Sequence, residues 1–320
     1  GGFTDAEYAS IGAAFDTLAW PVDVQAFGEP SDIDRNGRVL IFFTSAVNAL
    51  TPRGADFVVG GFFWERDLFP NNVRTRDNCA GSNASEMFYM LVPDPQGRVN
   101  GNVRSKRYVD ETTVGVLAHE FQHLINGARR LYTTDADDFE EVWLNEGLSH
   151  VAEELTFYRA AGLAPRARLT SQGLQASARV TDAFNTFGTD NFRRLLQYLQ
   201  ATESRSPFAD DDDLPTRGAT WQFLRYAADR QAARGLDENA FWRRLVGLDD
   251  WFRDWAVTNV ADAQAPAIGG LSAAYSFPSW GLRSVLAGYR DQAARGYALQ
   301  PRALLPELPQ MVSLDGGAVS

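Results

Sequence analysis

Two histidines four residues apart, with a glutamate directly after the first, constrain this chain more than any other feature in it. They stand as His119-Glu120-Phe121-Gln122-His123. On a helix that spacing places both imidazoles on one face, about 40° apart, so two ring nitrogens can reach one zinc ion at about 2.0–2.1 Å. Glu120 falls on the neighbouring flank, where its carboxylate can take a proton from a metal-bound water without becoming a ligand. Two histidines on a solvated helix would carry little weight. Here Val114, Val116, Leu117, Ala118, Phe121, Leu124 and Ile125 make the segment mostly apolar, and a buried helix is an expensive place for polar groups without a task. The pattern therefore predicts a Zn2+ site with His119 and His123 as ligands and Glu120 as general base.

A catalytic zinc usually takes three protein ligands and keeps one position for water. The metzincin extension would need Gly at 126 and His at 129. The chain has Asn126 and Arg129 there, which excludes that class. The third ligand is to be sought at His150 or, better, within Trp143-Leu144-Asn145-Glu146-Gly147-Leu148-Ser149, where a second helical segment begins.

Together these two motifs resemble the gluzincin zinc metallopeptidases, in which H-E-x-x-H on one helix is followed by N-E on another. The resemblance implies that Glu146 is the third zinc ligand. Twenty-two residues separate His123 from Glu146, which implies a longer connecting loop than the best-known members have. Within the clan the chain is similar to the hyicolysin-type secreted neutral metallopeptidases, through residues 119–126, Asn145-Glu146-Gly147-Leu148-Ser149 and, more loosely, residues 217–226. Gluzincins also use a His or Tyr well downstream of the third ligand to hydrogen-bond the developing oxyanion. No histidine follows His150. Tyr226, Tyr198 and Arg217 are the candidates, and Arg217 stands where the resemblance would put Tyr. Glu153, seven residues after Glu146 and so on its helix face, is a candidate to accept the second ring N–H of His119, with a solvated surface Glu as the alternative. His150, four residues after Glu146 and on the same face, reads as a support for a metal ligand, a transition-state donor or an ordinary helix-surface residue, the last being the first choice.

Composition closes off other functions. Thirty basic against forty-one acidic side chains leave a net charge of −11, the wrong sign for neutralising a phosphate backbone, so no nucleic-acid partner is expected. No apolar run approaches the roughly 20 residues that span a bilayer. The single cysteine, Cys79, permits neither an intramolecular disulfide nor a Cys-based metal cluster. The chain opens Gly1-Gly2-Phe3 without Met or a basic-then-apolar leader, so a cleaved or excised start is expected, and any export signal would lie outside this sequence; the resemblance to secreted metallopeptidases implies a secreted or cell-envelope location.

At 320 residues the chain is long enough for about two domains. Aromatic and β-branched runs at 39–44, 56–64 and 86–92 predict strands, so that the first hundred residues read as strands and turns. Helical periodicity is expected over 111–126, 142–160, 191–202, 216–234, 239–247, 251–260 and 282–295. Strands first and helices after argue for an α+β fold. The expected organisation is a zincin-like lobe at 1–155, a mixed twisted sheet packed on the His119 helix, then a mainly helical lobe at 156–300 and a tail at 301–320. The segment 83–90 is either an edge strand able to pair with extended substrate or an interior strand. Asp32-Ile33-Asp34-Arg35-Asn36-Gly37 copies the first half of a calcium loop, but the position for a bidentate Glu holds Phe43; an Asx turn is the first reading, and Ca2+ on Asp32, Asp34 and Asn36 the second. Asp210 to Asp213 read as a solvated loop.

The sequence thus points to zinc-dependent hydrolysis of peptide bonds, in a protein or peptide substrate, by a secreted endopeptidase with Glu120, Tyr226 and Arg217 as catalytic candidates. An aminopeptidase and a non-catalytic zinc-binding or adhesion module are the competing readings, the latter because Arg217 replaces the expected Tyr.

Overall fold

A computed structural model describes residues 2–71, 79–134, 136, 139–165, 167, 170–200, 212–233, 235 and 237–246. The expected helices at 251–260 and 282–295 and the tail at 301–320 lie outside the described residues. The chain divides into two compact units, Gly1–Asp135 and Ala136–Ser320.

The first unit begins with helix, contrary to the expectation of strands and turns. Helix α1 (Asp5–Ala14) runs through a π-helical turn (Phe15–Ala19) into α2 (Trp20–Phe27). Thr4 caps α1 with Glu7 in a reciprocal capping box, satisfying two backbone donors that a helix start leaves open. The signal Thr-x-x-Glu was in the sequence. What hid the helix is the π turn, in which the Trp20 N–H bonds to the Phe15 carbonyl: the extra residue breaks the 3.6-residue apolar period. Pro21 reads as a breaker, yet it sits in the first turn of α2, where a missing N–H does no harm.

Three short strands follow, β1 (Leu40–Phe43), β2 (Gly61–Phe63) and β3 (Met87–Met90), with α3 (Ser45–Ala49) between the first two. Their order is β1-β3-β2, β1 parallel and β2 antiparallel to β3. Among the two alternatives for residues 83–90, β3 is the interior strand, and the edges belong to β1 and β2. One face of the sheet turns inward through Phe88, whose ring meets Phe15 and Phe121 edge-on. The spine of the unit is α4 (Lys106–Tyr132), five residues longer at its start and six at its end than its periodicity suggests. It packs against α2, the π turn and β2. Gly61 permits the last contact: a Cβ there would lie 2.9 Å from the Tyr89 carbonyl oxygen and 3.0 Å from Val116.

The second unit is helical throughout its described length: α5 (Val142–Ala161), α6 (Ser171–Leu174), α7 (Ala178–Phe187), α8 (Thr189–Gln200), α9 (Leu214–Ala233) and α10 (Glu238–Leu245). Helix α9 packs against α5, α8 and α10. Gly218 lets α9 approach α8, since a Cβ there would come within 2.3 Å of the Leu195 backbone nitrogen. A three-stranded sheet in the first unit and a mostly helical remainder make the chain α+β, as expected.

Between α5 and α9 two ion pairs repeat at the same interval. Glu146 on α5 meets Arg217 on α9 at 2.6 Å, and Glu154, eight residues on, meets Arg225, likewise eight on, at 3.0 Å. Equal offsets in the same direction mean that the two helices run parallel, with rungs about 12 Å apart. The second rung is sealed: Glu154 and Arg225 are buried, the Trp221 indole N–H donates to the same carboxylate at 2.8 Å, and Glu238 takes the other side of the guanidinium at 2.7 Å.

Candidate active site

Helix α4 is buried almost without interruption from Leu117 to Ala128, which settles how its polar residues are held. The rings of His119 and His123 meet edge-on with centroids 4.8 Å apart, as a four-residue helical offset requires. Both rings are buried, each about 8% exposed, so the pair is not a surface decoration. Glu120, between them and also buried, accepts a hydrogen bond at 2.8 Å from the Phe63 N–H. That donor comes from β2, an edge strand whose Phe63 amide turns away from β3. The sheet edge thereby fixes one carboxylate oxygen of Glu120. Nothing in the sequence linked Phe63 to Glu120, because a backbone donor leaves no residue-type signature.

A second group was equally invisible. Asp23, on α2, is fully buried, and neither of its oxygens has a hydrogen-bond partner among the described residues. Burial pushes its carboxyl well above the usual carboxylate range, and the charge of His119 acts against that rise. A buried carboxyl without a partner is costly. A pair of imidazoles on one buried helical face, with a carboxylate fixed on the neighbouring flank, is a donor arrangement suited to zinc.

In the second unit Glu146 and Arg217 are brought together, and Arg217 also bridges to Asp212 through two hydrogen bonds of 2.7 and 2.8 Å. Val142, Trp143, Thr216 and Thr220 line the same small concavity as these three charged residues. Asp212 belongs to the acidic run expected to be a solvated loop, so one member of that run is engaged by a cation. Tyr226 lies on α9, and its side chain is outside the described residues. Tyr198 is fully buried. His150 corrects an expectation: it is fully buried, not on the helix surface, with Glu153 3.1 Å from its Nδ1 and Arg194 3.1 Å from its ring. Its carbonyl accepts from Asn191 on α8. A single histidine with no apolar partner pattern of its own gives no sign of such burial.

The loop at 32–37 makes Asx-type bonds. Gly37 N–H donates to Asp32 Oδ1, Asn36 N–H to Asp34 Oδ1 and Arg38 N–H to Asn36 Oδ1. Glu86, buried nearby, accepts from Ser31 and from the Ile33 N–H. These bonds account for the loop as a turn.

A helix-borne His pair that flanks a held Glu, on an α+β scaffold, is the signature of the zinc metallopeptidase class, and the chain is similar to neutral metalloproteases. Over 152 residues, 48% of the chain, it is 31% identical to the neutral metalloprotease ShpI of Staphylococcus hyicus, of which that stretch covers 31%. The resemblance read from the two motifs is thus borne out. No family model matches the chain.

Proposed function

We propose that the chain is a zinc-dependent metallopeptidase, with His119, His123 and Glu146 as the zinc ligands, cleaving internal bonds of proteins or peptides outside the cytoplasm. The observation that carries this reading is the buried His119–His123 pair with Glu120 fixed between them by the Phe63 N–H. Similarity to a neutral metalloprotease supports the same class, and no helix among the described residues is long and apolar enough to cross a membrane. Bound zinc would polarise the scissile carbonyl and bring the pKa of a coordinated water to about 7.

The chain's own residues do the rest. The Phe63 N–H occupies Glu120 Oε2, which leaves Oε1 to accept a proton from the attacking water and later deliver it to the leaving amine. Arg217, tied to Glu146 and Asp212, orients the Glu146 carboxylate. Because that guanidinium is committed to two carboxylates, Tyr226 is the stronger candidate for the oxyanion donor. The same commitment of Arg217 favours, as a second reading, a zinc-binding module without hydrolytic competence.

Glu120→Gln separates the two. Expected is loss of internal cleavage of an unfolded protein, read by mass spectrometry, with about one zinc per chain retained; Glu146→Ala should lose the zinc itself. Cleavage by Glu120→Gln at the native rate refutes the peptidase mechanism. Zinc undiminished in Glu146→Ala moves the third ligand elsewhere.

A further inference from the structure

Arg66 is a cation without a committed anion, in the same segment that delivers a donor to Glu120. That segment runs alongside α4 in the helix's own direction. A Cβ on Gly61 would lie 3.0 Å from Val116, the Phe63 N–H bonds to Glu120, and the Tyr132 hydroxyl donates to the Leu68 carbonyl. Residues 61, 63 and 68 therefore meet 116, 120 and 132 in ascending order. Arg66 belongs to the 3-10 turn Glu65–Leu68, which packs on α4. It comes three residues after Phe63, so their backbones are at most about 11 Å apart.

The guanidinium is held in place but not neutralised. Its Cζ stands over the Trp64 ring, 3.5 Å from the centroid, and Gly81 backs it, where a Cβ would come 3.3 Å from Nη1. Its one ion pair among the described residues is with Asp67 at 3.8 Å, too long for a hydrogen bond. Asp67 is fully buried, and its oxygens already accept from the Asn83 backbone, the Asn83 side chain and the Tyr89 hydroxyl. Arg66 Nε is enclosed and has no acceptor among the described residues. The side chain as a whole keeps 32% of its surface open, and Trp64 is exposed, so a ligand can reach the fork. A guanidinium fixed on an indole face gives up little freedom when it takes a carboxylate through two parallel hydrogen bonds.

We infer that Arg66, seated on Trp64, is a specificity-determining residue of the proposed peptidase, drawing a substrate carboxylate to a point about two to four residues of extended peptide from the bond that is cut. The inference rests on Glu120 being the general base, as proposed above. The carboxylate is that of an Asp or Glu side chain or of the substrate's C-terminus. A net charge of −11 repels acidic peptides, so a preference for them requires a fixed local cation.

Matched quenched-fluorescence peptides, cut by the zinc-loaded full chain, test this. The cleaved bond is first located by mass spectrometry; Glu or Gln is then placed at each of the four positions on either side, and a further pair differs only in a C-terminal carboxylate or amide. The native chain is expected to favour the acidic member of one pair by about 10-fold in kcat/KM. A side-chain pair showing the preference assigns the carboxylate to Asp or Glu, and the terminal pair assigns it to the C-terminus. Arg66→Gln should bring that ratio to about one, and Arg66→Lys, which keeps the charge without the fork, should leave an intermediate ratio. If Arg66 only staples Trp64, the variants melt earlier and cut both members of a pair more slowly, with the ratio unchanged, which overturns the inference. Should Arg66→Gln fail to fold, Arg66→Lys decides, since a native ratio there overturns it too. Equal cleavage of both members of every pair by the native chain overturns the role of Arg66 while leaving the peptidase reading intact. No cleavage of any peptide by the zinc-loaded native chain overturns both.

Discussion

Replacing Arg225 by Met, nearly its equal in length but without charge, isolates the energetics of the sealed rung between α5 and α9. The substitution leaves Glu154 fully buried with the Trp221 N–H as its remaining hydrogen bond, and leaves Glu238 with Trp242. Removing one partner of a buried ion pair is strongly destabilising, by about 3–5 kcal/mol, because the other charge stays unpaired. The pH dependence follows from Glu154. Burial is the largest influence on its carboxyl and raises it above the usual range, while the Arg225 charge and the Trp221 hydrogen bond pull the other way. A carboxyl raised in the folded state contributes its full stability below its unfolded pKa and loses it as pH rises through the folded value. Without Arg225 the carboxyl rises further, so the deficit should be widest near neutral pH and shrink toward pH 5. Urea unfolding at several pH values, followed by circular dichroism, gives both quantities. The double variant Arg225→Met, Glu154→Gln should recover part of the loss at neutral pH, since it removes the stranded charge. A deficit under about 1 kcal/mol at neutral pH, or one that does not narrow on acidification, refutes the reasoning.

Two further outcomes are expected. Gly218→Ala places a Cβ 2.3 Å from the Leu195 nitrogen and 2.4 Å from the Arg194 carbonyl carbon, backbone atoms that cannot swing aside, so it should destabilise by about 1–3 kcal/mol or more; an unchanged denaturation midpoint would show that α8 and α9 can separate freely. Phe63→Pro deletes the N–H that holds Glu120 but no bond to β3, so peptide hydrolysis should fall about 10- to 100-fold with zinc content unchanged, and native turnover in a zinc-loaded variant would show that Glu120 does not need that donor.

The H-E-x-x-H helix was legible because its period, its apolar neighbours and its chemistry agree on one answer. The same held for α5 and α9, whose expected spans differ from the observed ones by two residues or fewer, and for the three strands, though 56–64 shrank to Gly61–Phe63. The N-terminal helices were not legible, since one π-helical residue puts Trp20 and Asp23 out of phase with Ile11 and Phe15. At the candidate site, residue type and spacing were enough to name the side chains proposed to carry chemistry. Their supports could not: the Phe63 donor is backbone, and the Arg217 ion pair depends on two helices running parallel. Sequence periodicity describes faces within an element, and these supports are all contacts between elements.

The π turn makes the length of the N-terminal segment consequential. Each residue of a helix advances its side chains by about 100°, so a one-residue deletion within Phe15–Ala19 would let α1 and α2 merge into a regular helix and turn Trp20 and Asp23 away from α4. Substitutions there can be mild, but a frame-preserving loss of a single codon would rotate a whole helix face out of the core. Insertions and deletions, more than point changes, are what this stretch of the chain cannot absorb.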